Sequence, residues 1–67
     1  MKIGDRVSWD TPQGRTHGRI VDQKTQDFQL DGRQWRASED EPKFVVESEK
    51  TGARAAHEPS ALRELKD

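Results

Sequence analysis

The sequence predicts an all-β domain, a small five-stranded barrel or sandwich. Three observations predict this class. Short alternating or β-branched stretches recur along the 67 residues, divided by Gly, Pro and Asp punctuation. The dipeptide Asp31-Gly32 lies between Phe28–Leu30 and Arg33–Trp35, the arrangement of a two-residue type I′ hairpin. Phe44 to Ser48, rich in β-branched and aromatic residues, holds the longest apolar run and is followed by a Gly-ended turn and then by the small residues Ala53, Ala55 and Ala56.

Taken in order, Lys2 to Trp9 alternates, with Ile3, Val7 and Trp9 on one parity and Arg6 and Ser8 on the other, which predicts a strand. Asp10 to Gly14 is a loop with Pro and Gly in it. Thr16 to Asp22 is a second strand, and Gly18 within it marks a bulge, a bend or a close backbone approach. Gln23 to Asp27 is a polar loop. The Asp31-Gly32 hairpin pairs Leu30 with Arg33 and Phe28 with Trp35, and the aromatic pair helps to pin its register. Ser38 to Glu41 matches a capping box, but Pro42 follows at once, so a single helical turn or a polar loop is expected.

The second hairpin dominates the chain. Phe44 to Ser48 suits a pleated, half-buried surface, and Gly52 closes the turn at a position that favours positive φ. Ser48 opposite Ala53 sets Val46 against Ala55 and Phe44 against His57. Phe44, Val46 and Ala55 then share one face, and Val45, Glu47, Arg54 and Ala56 the other. Pro42 and Pro59 cannot donate to a ladder and mark where pairing stops. Pro59 also begins a short C-terminal helical turn that lays Leu62 and Leu65 over one end. The expected core is Val7, Trp9, Ile20, Phe28, Phe44, Val46 and Leu62.

Composition narrows the chemistry. There is no cysteine, so disulfides and thiolate metal sites are excluded. No apolar run approaches a membrane span, and Met1 to Asp5 lacks the apolar core of a secretion signal, so a cytoplasmic location is expected. Charged residues make up 37% of the chain, yet the net charge is −1. Basic residues lean towards the first third and acidic ones towards Glu39 to Glu49. Two solvated faces that keep a small domain soluble account for this.

Several stretches are similar to one small family. Gly4-Asp5 with Val7 and Trp9, Gly14 to Gly18, and Ala37 to Pro42 occur in its order. So do Phe44, Val46, Ser48 and Lys50-Thr51-Gly52, then Ala55-Ala56-His57, Pro59, Ala61 and Leu62. On these residues the chain resembles the hypervirulence-associated protein Tudor domain family over nearly its whole length. The stretch from Thr51 to Pro59 is the most specific part. The resemblance implies an SH3-like, Tudor-type barrel and brings no activity with it. Glu58 stands where the family often has a basic residue, which argues against an anion site at this end.

No set of residues composes a catalytic centre. His17 and His57 are isolated, and there is no nucleophile elbow or phosphate loop. Two histidines do not make a zinc site. His57, with Pro59 and Leu62, is expected to anchor the chain end, His57 through a structural hydrogen bond. Trp9, Phe28, Trp35 and Phe44 have the chemistry of a cage for methylated lysine, but the core requires most of them. Trp35 is the ring expected to be partly exposed, because its neighbours are polar.

The candidate interaction face is Arg6, Arg15, Arg19, Arg33, Trp35 and Arg36. The expected function is a non-enzymatic module that binds protein or peptide through a barrel face or a strand edge. The alternative is weak RNA or DNA binding through the arginines with Trp35 stacking, against which the net charge of −1 counts. No cofactor, metal or membrane is expected as a partner, and the chain is expected as a monomer or weak homodimer.

Overall fold

The computed structural model describes residues 1–65. Seven strands and one 3-10 turn make up its regular structure. They are β1 (Arg6–Thr11), β2 (Gly14–Lys24), β3 (Phe28–Leu30), β4 (Arg33–Trp35), β5 (Lys43–Ser48), β6 (Arg54–His57), the turn Pro59–Ala61 and β7 (Arg63–Glu64). Five form one antiparallel sheet in the order β6-β5-β2-β1-β7, and β3 and β4 form a separate two-stranded sheet.

The fold is all-β and the main sheet has five strands, but it does not close into a barrel. β3 and β4 pair only with each other, and β7 meets β1 at Val7 and Ser8 alone, so no ladder joins the outer strands. The expected C-terminal turn is present with Pro59 at its start, and the chain then extends into a strand that the sequence did not announce.

β1 and β2 form a hairpin with Thr11 opposite Gly14, so the turn is only Pro12-Gln13. The Thr11 hydroxyl donates to the Gly14 carbonyl at 2.8 Å and holds that tip. The strand starts later than expected, and Ile3 lies outside it, 57% exposed. β2 runs on to Lys24 and changes register against β5 between Ile20 and Asp22. Gly18 is therefore a close approach rather than the bulge.

In the Asp31-Gly32 turn both residues have positive φ, 54° and 74°, as the type I′ geometry requires. Phe28 faces Trp35, and their rings are 6.5 Å apart at 12°. The Ser38–Glu41 segment is a polar loop, in which the Glu41 N–H donates to the Ser38 hydroxyl oxygen at 3.0 Å and the Ser38 N–H to the Glu41 carbonyl at 3.1 Å.

β5 and β6 pair in the expected register, Phe44 with His57, Val45 with Ala56, Val46 with Ala55. One core results, from Val7, Trp9, Ile20, Phe44, Val46 and Leu62, with Ala55 packed against it. Phe28 is half-buried on the separate hairpin and does not join it. Val45 and Ala56 are also buried, on the opposite face, at 4% and 3% exposed, while Glu47 beside them is half-buried and Arg54 exposed. Ala56 lies in the middle of β6, and its burial closes that edge to an added strand.

Candidate interaction groove

The β1–β2 and β5–β6 hairpin tips are each braced by their own hydrogen bonds. At the β5–β6 tip the Ser48 carbonyl accepts the Gly52 N–H at 2.9 Å, and the Ser48 hydroxyl oxygen accepts from Lys50 and Thr51 at 3.2 and 3.4 Å. The Ala53 N–H donates to the Thr51 hydroxyl oxygen at 3.2 Å. The Glu49 N–H reaches back to the His17 carbonyl at 3.0 Å and ties the tip to β2.

Between this tip and the β1–β2 tip lies a groove of about 730 Å³. Trp9, Thr16, Ala53 and Ala55 give it an apolar and small-residue lining, and Arg15, Lys50 and Arg54 also line it. The volume lies within the range of ligand pockets. Trp9 is 6% exposed, so it presents only a sliver of indole. Its ring lies beside Gly18 on one side and meets the His57 ring at 5.6 Å.

The six predicted face residues fall into three places. Arg6 and Arg19 are register partners on β1 and β2. Arg6 grips the Glu49 carboxylate with Nε at 2.8 Å and Nη2 at 3.1 Å, and the Arg19 guanidinium donates to the Gly4 carbonyl at 3.0 Å. The hydrogen bond from Arg6, with its charge, holds the Glu49 carboxyl below the usual range. Arg15 stands at the first tip, its Nε 3.3 Å from Asp10. Arg33, Trp35 and Arg36 belong to the separate hairpin, and the Arg33 guanidinium sits 4.9 Å from the Trp35 ring centre. Trp35 is half-buried. The sequence could not show this dispersal, because parity along a strand does not say which sheet the strand joins.

The four aromatic rings do not converge. Trp9 and Phe44 are core residues, while Phe28 and Trp35 lie on the hairpin with Lys24 and Arg33 over their rings. A cage for a cation is not assembled.

His57 is half-buried and packs on Trp9, and burial pulls its imidazole below the ordinary value. No side-chain hydrogen bond engages it among the described residues, so its contact with the core is made by the ring. Leu62 is 8% exposed in the core, and the Leu62 N–H donates to the Pro59 carbonyl at 3.2 Å. His57, Ser8, Asp10 and Ser60 line a second recess of about 300 Å³, yet no hydrogen bond links those side chains. Among the described residues no three His, Cys, Asp or Glu side chains gather as metal ligands, and no helix is long and apolar enough to cross a membrane.

Sequence reasoning missed Ala53, Lys50 and Thr16 as groove residues. The groove joins tips far apart in the chain, and only the paired register of Ser48 with Ala53 hinted at it. A family model described as hypervirulence associated proteins TUDOR domain matches residues 4–62. No curated protein and no solved structure matches the chain.

Proposed function

We propose that this chain, which belongs to the hypervirulence associated proteins TUDOR domain family, binds an extended protein segment in the groove between its β1–β2 and β5–β6 hairpin tips. Tudor domains are generally small, non-catalytic binding modules. The observation that carries the reading is the groove of about 730 Å³ with Trp9, Ala53 and Ala55 in its lining. Small side chains leave room for a partner's side chain, and the braced tips are pre-organised walls, which lowers the entropic cost of binding. Strand addition at β6 is not part of this reading, because Ala56 is buried there. The chain acts without a catalytic step of its own.

A random peptide library displayed on phage and selected on the immobilised full chain tests this. Ala53 is exposed, so Ala53→Arg fills the groove without touching the core. Selected peptides bind the natural chain and lose at least about tenfold in affinity, roughly 1.4 kcal/mol, on Ala53→Arg. Recovery of no peptide, or of peptides indifferent to Ala53→Arg, contradicts it.

One observation favours a second reading. Phe28 and Trp35 lie nearly parallel, Arg33 covers Trp35, and Arg36 makes no ion pair among the described residues. A hairpin of this kind has the parts of a stacking platform for single-stranded nucleic acid. Asp27 and Asp31 on the same hairpin and the acidic stretch Glu39–Glu41 beyond it weaken its field.

A further inference from the structure

We infer that the groove takes an acidic peptide, one in which carboxylates flank a single apolar side chain. This rests on the groove reading above and adds the partner's chemistry. Although the chain carries a net charge of −1, the groove is lined by Arg15, Lys50 and Arg54 and by the carboxylate of Glu49, with Asp10 and Glu47 beside the two arginines. Arg6 holds the Glu49 carboxylate through both of its oxygens, so its charge is already met. The cations are not met in the same way. Arg15 and Arg54 each contact a carboxylate through Nε alone, at 3.3 Å to Asp10 and 3.2 Å to Glu47. Their terminal guanidinium nitrogens have no hydrogen-bond partner among the described residues, and Lys50 makes no ion pair there. A guanidinium offers those nitrogens as a fork that a carboxylate fits.

The apolar part of the lining fixes the rest. Ala53, Ala55 and the exposed sliver of Trp9 accept one apolar side chain, while Arg15 and Arg54, which pair across the strands with Asp10 and Glu47, stand along the rim. A nucleic acid fits this place less well, because bases need an open aromatic face to stack on and Trp9 is 6% exposed. The field of the groove draws an acidic segment in, and the apolar contact gives it a register.

Titration of the full chain carrying Trp35→Phe, whose emission then reports Trp9 alone, tests the inference. The probes are four short synthetic peptides and a short mixed-sequence single-stranded DNA. The peptides are acidic with a central Leu, acidic with a central Ser, basic with a central Leu, and neutral with a central Leu. The acidic Leu peptide is expected to give a saturable change in Trp9 emission. Its affinity is expected to fall about tenfold or more between roughly 10 mM and 150 mM salt, and by a similar factor in the surface variant Arg15→Glu/Lys50→Glu. The acidic Ser peptide and the basic peptide bind at least about tenfold more weakly. If the neutral or basic Leu peptide binds as well as the acidic one, peptide binding stands and the acidic preference is overturned. If the DNA changes Trp9 emission and no peptide does, or if no probe does, both readings fall.

Discussion

Trp9 lies across Gly18. A Cβ placed on Gly18 would be 2.7 Å from the indole Cη2 and would also run into the Glu47 carbonyl. Gly18 pairs with Val7 on one side and Ser48 on the other, so the absent side chain is what lets the indole settle over β2. The same indole closes the core and lines the groove.

Gly18→Ala therefore forces either the indole or the β5 backbone to move. Overpacking of this kind costs about 1–3 kcal/mol. A lowered Tm in thermal unfolding, with a red shift of Trp9 emission in a Trp35→Phe background, is the expected outcome; unchanged values of both would mean that the strands do not approach this closely.

Val46 is fully buried opposite Ile20 and Ala55. Val46→Asp puts an unpaired carboxylate there, at a cost of about 4 kcal/mol or more. Such a loss is comparable with the whole stability of a small domain. Circular dichroism is expected to show an unfolded chain at neutral pH.

The lowered value of His57 gives stability a pH dependence with a definite sign. The unfolded imidazole takes up a proton below about 6.5, whereas burial resists protonation in the folded state until lower pH. The unfolded state thus holds more protons in that window. Stability is full above about pH 6.5 and falls as the pH drops below it. His57→Gln removes this slope from denaturant midpoints measured between about pH 7 and pH 5. A further loss, from Glu49 and Asp22 giving up their pairing with Arg6 and Lys24, begins only as the pH approaches the ordinary carboxylate range.

Ser48→Ala removes the oxygen that accepts from Lys50 and Thr51. The expected cost is about 1 kcal/mol in chemical denaturation. Amide hydrogen exchange at Lys50 and Thr51 is expected to rise more than exchange within β2, because the tip loosens before the sheet does.

Local pairing was legible in the sequence where turn chemistry and apolar pattern agreed. Asp31-Gly32 fixed its hairpin, and the Gly52 turn with Pro42 and Pro59 beyond it fixed the register from Phe44 to His57. What depended on distant packing was not legible. Val45 and Ala56 fall on the face away from the expected core, yet both are buried. Phe28 read as core because it is aromatic, but its strand pairs only within its own hairpin. β7 could not be seen in Arg63 and Glu64, since backbone pairing with β1 sets it rather than side-chain pattern. The sheet's failure to close could not be read either, because no periodicity encodes closure.

The most direct measurement is a titration of the ¹⁵N-labelled full chain with display-selected peptides, followed by amide and indole chemical shifts. The account predicts that the shifts gather on the Trp9 indole N–H and on the amides of Thr16, Ser48, Ala53 and Ala55. Shifts centred instead on the hairpin from Phe28 to Trp35, or no shifts at saturating peptide, would contradict it.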